Sequence, residues 1–237
     1  MQQLRFFIKV LAVCALIGAQ NLSPAFGESV ELSQPPNVGD AKLAAVACQK
    51  SGSFERDLAA VAAQVSAWLA ERASQVSRPA LVFDIDDTVL SNWEVIRADD
   101  FGRVFDGPCR SLPKGPCGWI AWDLRAKTPA IPQTLAVFKQ ARSLGIAVFF
   151  ISGRDESQRA ATIRNLRAAG FAGYRGLYLE TKGSYYPSAA DFKGPQRKRI
   201  EQAGYTIIAN VGDQPSDLAG GYAEKTFLLP NPFYRIP

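Results

Sequence analysis

Histidine is missing from this chain: none occurs among its 237 residues. Hydrolysis by a serine–histidine–aspartate triad, cysteine–histidine catalysis, histidine-ligated zinc and phosphohistidine chemistry all require an imidazole group. The sequence therefore excludes these classes of catalyst and this kind of metal site.

Long hydrophobic runs are also scarce. The longest, residues 10–19, follows Arg5 and Lys9 and precedes a polar stretch that ends in Ala25-Phe26-Gly27. This order is typical of a cleavable secretory signal, and the run is too short to span a bilayer. We expect cleavage after Gly27, a secreted or periplasmic mature protein, and no stable membrane anchor once residues 1–27 are removed.

The charge excess is small. The formal net charge is +5, and two of the basic residues behind it, Arg5 and Lys9, lie in the predicted signal. A basic excess of this size does not indicate a nucleic-acid partner. The oligomeric state stays open.

Cysteines are few, with four in the whole chain and one of them in the predicted signal. Cys109 and Cys117 have glycine and proline neighbours, and in an oxidising compartment we expect them to close a short disulfide loop. Cys48 would then be free. The alternative is three unpaired thiols, and scattered cysteines without histidine do not predict a metal site.

The segments after the signal predict an α/β fold. Residues 28–40 are polar and are interpreted as a flexible arm, whereas residues 41–77 have the apolar spacing of one or two amphipathic helices. Apolar runs then predict five strands, at 81–85, 146–151, 176–179, 206–211 and 226–229. Proline starts and glycine stops predict helices between strands, at 132–144, 155–169 and 195–203.

Strands that alternate with helices form a mainly parallel sheet with helices on its faces. We therefore predict a Rossmann-like three-layer sandwich in residues 41–237, with an N-terminal helical extension. The periodicity fails at about 93–131, which we interpret as a small inserted cap. Its aromatic residues fit either a small core or a platform for a flat substrate group: Trp93, Phe101, Phe105, Trp119 and Trp122.

Carboxylates follow the first predicted strand. Asp84 and Asp86 are two residues apart, so in an extended chain they point to the same side. Two close ionised carboxylates repel each other, which calls for a cation between them or a proton on one. An aspartate-rich turn that caps a helix is the structural alternative.

Later strands end in polar residues too. Ser152-Gly153-Arg154 suits an oxyanion or phosphate cradle at the start of the next helix, and Lys193 precedes the helix predicted at 195–203. Asp213 and Asp217 follow the fourth strand, and carboxylates there suit Mg²⁺. Each feature alone also fits a helix cap or a solvated charge, but four in order make coincidence a poor explanation.

The four strand ends resemble the ordered motifs of the haloacid dehalogenase (HAD) superfamily of phosphatases: Asp84-x-Asp86-x-Thr88, Ser152, Lys193 and Gly212-Asp213-x3-Asp217. Longer stretches are similar to the secreted class B type acid phosphatases of HAD subfamily IIIB, which include plant acid phosphatases and vegetative storage proteins. These stretches are 83–92, 192–197, 210–218 and 229–234. The likeness covers about residues 40–237 and departs from the pattern at Pro215 and in loop 102–118.

The resemblance implies a Mg²⁺-dependent acid phosphatase that acts on small phosphomonoesters. Asp84 would attack phosphorus to form an aspartyl-phosphate, and Asp86 would protonate the leaving group and then activate water. Mg²⁺ would be bound by Asp84, Asp213 and the backbone carbonyl of Asp86, with Asp217 in support.

The resemblance also implies a phosphate-binding set. Ser152, Gly153 and Lys193 would hold the phosphoryl oxygens, and Lys193 would orient Asp84 as well. Thr88 belongs to the same set and is expected to position the loop that carries Asp86.

Other activities remain open at this level. A dehalogenase has no need of Asp86, and a phosphonatase needs an imine-forming lysine in the cap, where the candidates are Lys114 and Lys127. A phosphotransferase would use the same aspartyl-phosphate. A non-catalytic storage or binding protein is the alternative from another class, but such a protein has no need of Asp84.

Overall fold

The computed structural model describes residues 35–237. The predicted signal 1–27 and residues 28–34 of the predicted arm lie outside the described residues. The first helix, α1 (Val38–Lys50), begins inside the predicted arm because the side chain of Asn37 accepts hydrogen bonds from the first amides and caps it. The second helix is α2 (Ser53–Arg72).

Five strands form a single parallel sheet: β1 (Pro79–Phe83), β2 (Ala147–Asp155), β3 (Gly176–Glu180), β4 (Thr206–Gly212) and β5 (Thr226–Leu228). Their order is β3-β2-β1-β4-β5. The chain builds outward from β1 on one side and returns to its other side with β4. Ligands of open α/β sheets bind at such a switch point, outside the carboxyl ends of the strands. The predicted α/β class is confirmed.

Helices cover both faces of the sheet. Successive side chains of a strand point to opposite faces, and the apolar side chains on each face pack against helices. Leu81 and Phe83 belong to the larger apolar cluster, together with residues of α2 and of α5 (Pro132–Ser143). Ala80 and Val82 belong to a second cluster, with residues of α7 (Ala189–Gln202). The remaining long helix is α6 (Arg159–Ala168).

Two boundaries beside the polar strand ends differ from the sequence prediction. Strand β2 continues through Ser152 to Asp155, so these residues end a strand and do not begin a helix. Helix α7 begins at Ala189, before Pro195, because Ser188 and Asp191 form a capping box there. Lys193 therefore lies inside a helix and not in a loop.

Residues 93–131 contain two short helices, α3 (Trp93–Ala98) and α4 (Trp119–Leu124), joined by an irregular loop. A disulfide between Cys109 and Cys117 closes that loop, as the sequence predicted, and Cys48 is free. The last helix, α8 (Pro215–Leu218), follows β4. Within residues 35–237, each helix is too short or too polar to cross a bilayer.

Candidate active site

The loop after β1 separates three aspartates. Asp87 has a φ of 55°, which is uncommon for a non-glycine residue and turns the chain sharply. Its carboxylate accepts hydrogen bonds from the Asn92 amide at 2.8 Å and from the Tyr234 hydroxyl at 2.7 Å. This turn holds Asp87 away from the cleft that Asp84 and Asp86 line.

The buried ammonium of Lys193 bridges two carboxylates. Its Nζ lies 2.5 Å from Oδ1 of Asp84 and 2.7 Å from Oδ1 of Asp217. Burial raises the pKa of Asp84 well above its ordinary value, and the charge of Lys193 opposes that shift. Burial lowers the pKa of Lys193, but its two carboxylate neighbours outweigh this and raise it overall. Lys193 therefore stays protonated and orients Asp84.

The carboxylate of Asp213 is held by three donors. The hydroxyl of Thr88 donates to Oδ1 at 2.9 Å, and the side-chain amides of Gln214 and Asn231 each donate to Oδ2 at 2.7 Å. Burial and the neighbouring carboxylates raise the pKa of Asp213 to about 7. The donors fix its orientation but do not neutralise its charge, so the group suits a cation.

Asp86 forms an ion pair with Arg154 at the end of β2. Nε of Arg154 donates to Oδ2 at 2.9 Å, Nη2 donates to Oδ1 at 2.6 Å, and the side-chain amide of Asn92 donates to Oδ1 at 2.9 Å. Burial by itself raises the pKa of Asp86, but Arg154, Asn92 and Arg103 outweigh burial, so the pKa lies below its ordinary value. Asp86 is held as an ionised carboxylate.

Arg154 also contacts a second carboxylate, Asp123 of α4. Its Nη2 lies 3.0 Å from Oδ1 of Asp123, whose Oδ2 accepts a hydrogen bond from Gln158 at 2.8 Å. Burial raises the pKa of Asp123 to about 8, although the charge of Arg154 acts in the opposite direction. Arg154 thus joins the segment 93–131 to the carboxylate of Asp86.

Three buried carboxylates form a candidate metal centre: one oxygen each of Asp84, Asp213 and Asp217, all within 4.8 Å of one another. Hard divalent cations such as Mg²⁺ prefer carboxylate oxygens. The mutual repulsion of these groups contributes to the raised pKa of Asp84 and of Asp213. A divalent cation would offset that repulsion, so this donor set fits the predicted metal.

These groups open into a cleft of about 410 Å³. Ser152 and Gly153 line it, and the hydroxyl of Ser152 accepts a hydrogen bond from the backbone amide of Arg154 at 3.2 Å. Glu180 and Asp155 bring further negative charge to the lining. The cleft therefore combines a dense acidic centre with a small number of cations.

The aromatic residues of segment 93–131 divide between core and cleft. Trp93 and Phe101 pack against Phe233, with ring centroids 5.1 and 6.3 Å away. Trp122 is buried, and its indole donates to Asn92 at 2.8 Å. Phe105 and Trp119 line the cleft. The core interpretation is confirmed for Trp93, Phe101 and Trp122. The platform interpretation stays a prediction for Phe105 and Trp119.

The structure brings most of the residues of the predicted site together. Asp84, Asp86, Ser152, Gly153, Lys193, Asp213 and Asp217 all line the cleft. Thr88 does not: it is fully buried, and its hydroxyl binds Asp213 instead of facing a ligand. The side chain of Asp86 also lies outside the three-carboxylate cluster, which Asp217 completes.

Several residues of the site have no role in the sequence prediction. Asn231 and Tyr234 come from the segment after β5 and hold Asp213 and Asp87. Both lie in stretch 229–234, which resembles the phosphatase family, so the resemblance could have identified them as site residues. Arg154 follows Ser152, but a partner 68 residues away is not visible in sequence spacing. Nothing in the sequence distinguishes Asp123.

Comparison with known proteins gives a family match. The model of "HAD superfamily, subfamily IIIB (Acid phosphatase)" matches residues 29–237. A 28 kDa stem glycoprotein of Glycine max is 34% identical over 163 residues, which cover 67% of this chain and 61% of that protein. Acid phosphatase 1 of Solanum lycopersicum is 32% identical over 161 residues, 67% of this chain and 60% of the relative. Vegetative storage protein 1 of Arabidopsis thaliana is 31% identical over 156 residues, 66% of this chain and 55% of the relative.

The matched part of the chain thus spans about three fifths of these relatives' length. Among solved structures, the class C acid phosphatase of Bacillus anthracis is similar, with a TM-score of 0.65 and 21% identity over 83% of this chain and 85% of that chain. This likeness shows the fold. The resemblance drawn from the four motifs is confirmed: the chain belongs to the HAD superfamily, subfamily IIIB, the acid phosphatase family.

Proposed function

We propose that the protein is a Mg²⁺-dependent acid phosphatase that hydrolyses small phosphomonoesters through an aspartyl-phosphate on Asp84. One observation carries the proposal: Asp84 and Asp86 line the same cleft, and each is paired with a different buried cation, Lys193 or Arg154. A nucleophile and a proton-transfer group need separate electrostatic control because they do different work.

Asp84 is the proposed nucleophile. One of its carboxylate oxygens attacks phosphorus, the bond from phosphorus to the ester oxygen breaks, and the phosphoryl group is transferred to Asp84. A buried carboxylate resists ionisation, and Lys193 favours the ionised form that attack requires. Ser152 and Gly153, which line the cleft beside it, are proposed to bind the phosphoryl oxygens with Lys193.

Asp86 is the proposed general acid and base. In its protonated form it gives a proton to the departing alkoxide, and its carboxylate then takes a proton from the water that attacks the aspartyl-phosphate. The second half-reaction releases inorganic phosphate and regenerates both carboxyl groups. Arg154 and Asn92 stabilise the ionised Asp86 that this second half-reaction needs.

Mg²⁺ would be held by Asp84 and Asp213, with the backbone carbonyl of Asp86 as predicted and with Asp217 alongside. When bound, it would offset the repulsion between the anionic nucleophile and the anionic substrate. Thr88, Gln214 and Asn231 support this role by orienting Asp213.

The competing activities have less support. Lys114 and Lys127, the candidates for imine formation, do not line the cleft, which disfavours a phosphonatase. A phosphotransferase would use the same residues with an alcohol in place of water. The vegetative storage proteins among the relatives favour a storage role as the second candidate. A storage protein, however, has no need of a buried nucleophile with its own lysine.

The proposed location is secreted or periplasmic, with cleavage of the signal after Gly27. The disulfide between Cys109 and Cys117 supports it, since such bonds persist in oxidising compartments. The proposed partner is the phosphomonoester substrate and not a nucleic acid. Homo-oligomers are compatible with the proposal but are not required by it.

A panel assay tests the proposed function. Phosphate release is measured from nucleotides, sugar phosphates and an aryl phosphate, with Mg²⁺ and with EDTA. We expect release that depends on Mg²⁺, and a loss of several orders of magnitude in Asp84→Asn, which is nearly isosteric and should still fold. No release from any substrate would favour the storage or binding role.

A further inference from the structure

Three cations line the cleft, and two of them are paired with carboxylates. Lys193 binds Asp84 and Asp217, and Arg154 binds Asp86 and Asp123. The third is Arg103, in the irregular loop of segment 93–131. Within residues 35–237, no carboxylate lies within ion-pair distance of its guanidinium. The charge of Arg103 is thus available to a ligand.

Aromatic rings hold this guanidinium in place. Its Cζ lies 4.7 Å from the ring centroid of Phe105, 5.3 Å from that of Trp119 and 5.4 Å from that of Tyr234. The rings attract the positive charge but are not conventional acceptors, so the five N–H donors of Arg103 remain available for an anion. Trp119 and Tyr234 are themselves in edge-to-face contact, which fixes the surface beneath the guanidinium.

Arg103 also comes from a different element of the fold than the groups proposed to bind the transferred phosphoryl group. Lys193 and Ser152 already lie at the end of the sheet beside Asp84, whereas Arg103 is exposed in the loop that leads to α4. Arg103 and the phosphoryl-binding groups therefore belong to one cleft but to different parts of it.

We infer that Arg103 binds a second anionic group of the substrate, so that the preferred substrates are phosphomonoesters that also carry a carboxylate or another phosphate. A guanidinium binds either group with paired hydrogen bonds, which the single ammonium of a lysine does not reproduce. The surplus of carboxylates in the rest of the lining repels such substrates elsewhere. This inference rests on the proposed phosphatase function.

The kinetic test compares phenyl phosphate, 4-carboxyphenyl phosphate and 1,4-phenylene bisphosphate as substrates of the wild type, Arg103→Gln and Arg103→Lys. Two of these substrates carry a second anionic group. We expect Arg103→Gln to raise their KM relative to that of phenyl phosphate by roughly tenfold. In Arg103→Lys the same relative KM should lie between the values of the wild type and of Arg103→Gln. If the relative KM changes for only one of these two substrates, its second group, carboxylate or phosphate, is the one that Arg103 binds.

Arg110→Gln is the matched control, since it removes the same charge from the same loop but lies outside the cleft lining. It should leave the ratio of KM values as in the wild type. Equal effects of Arg103→Gln on all three substrates would overturn the inference, because Arg103 would then act on the transferred phosphoryl group. No effect on any substrate would overturn it as well.

A binding measurement separates this inference from the phosphatase proposal. Calorimetry with benzylphosphonate and 4-carboxybenzylphosphonate, neither of which is hydrolysed, reads the second anion site without turnover. We expect the carboxylated analogue to bind about tenfold more tightly to the wild type and to lose this advantage in Arg103→Gln. Absence of turnover together with this difference would contradict only the phosphatase proposal. Equal affinities in the wild type would contradict the second anion site.

Discussion

Arg154 binds both carboxylate oxygens of Asp86, at 2.9 Å through Nε and at 2.6 Å through Nη2. A carboxylate held in this way is stabilised in its ionised form, which is the form that can accept a proton. To act as an acid, Asp86 has to gain a proton and release one oxygen to the leaving group. Arg154 has a second acceptor nearby, since Asp123 lies 3.0 Å from the same Nη2. The geometry thus leaves Arg154 beside a carboxyl oxygen of Asp123 while Asp86 is protonated.

The two roles of Asp86 separate when leaving groups are compared. A nitrophenolate leaves without a proton, whereas an alkoxide does not, so Asp86→Asn should slow the phosphorylation step far more for alkyl phosphates than for aryl phosphates. Single-turnover measurements of that step check this, with loss of about 10²- to 10⁴-fold expected for alkyl substrates. Equal losses for both classes would remove Asp86 from the general-acid role.

The contacts of Asp213 predict that substitutions at or beside it raise the Mg²⁺ concentration needed for activity, each to a different extent. EDTA should abolish activity, and added Mg²⁺ should restore it. Asp213→Asn removes a charged ligand and should need far more Mg²⁺ for half-maximal activity. Asn231→Ala removes one of the three donors to Asp213 and should raise that requirement by about tenfold. Full activity after exhaustive chelation would contradict the role of the metal.

Burial of Asp123 predicts a pH-dependent stability. Its pKa rises from 3.8 to about 8 on folding, so the folded state binds more protons than the unfolded state between about pH 4 and pH 8. The stability that protonated Asp123 contributes is complete below about pH 4 and is lost as the pH rises towards about 8.

Asp123→Asn does not titrate, so its free energy of unfolding should fall less with pH across this window than that of the wild type. Urea unfolding in EDTA at a series of pH values measures both curves, and EDTA keeps metal binding out of the comparison. Parallel curves from pH 4 to pH 8 would show that Asp123 keeps an ordinary pKa beside Arg154.

The aromatic residues of the cleft predict a preference for flat substrates. Phe105 and Trp119 line the cleft, so alanine at either position should raise KM for aryl and nucleoside phosphates several-fold more than for small alkyl phosphates. Trp93→Ala is the matched control, because Trp93 packs against Phe233 in the core. It should lower the melting temperature without changing the preference. Unchanged preferences in Phe105→Ala and Trp119→Ala would contradict the platform interpretation.

The sequence predicts the fold and the carboxylates well, because both depend on local patterns. The apolar run before Asp84 predicts a buried strand, and parallel strands bring their carboxyl ends to one edge, so Asp84, Ser152 and Asp213 meet there as expected. The short spacing of Cys109 and Cys117 predicts their disulfide in the same local way.

The electrostatic partners are not predictable in this way. Asp123 joins the site through α4, which lacks a clear periodicity and whose place depends on tertiary packing. Pro195 suggested a helix start, but the Ser188 capping box lengthens α7 and puts Lys193 on the helix. The position of Asp123 and the start of α7 thus depend on contacts that sequence patterns do not show.

Detection of the covalent intermediate tests the proposed mechanism more directly than any other measurement. Asp86→Asn keeps the nucleophile but lacks the base that activates water, so with an aryl phosphate it should release one equivalent of phenol rapidly and accumulate phosphorylated enzyme. Acid-quenched protein is digested and its peptides are analysed by mass spectrometry, with the double variant that also carries Asp84→Asn as control. We expect a phosphoryl group on Asp84 and none in the double variant. Turnover without a labelled peptide, or a label on another residue, would contradict the proposed mechanism.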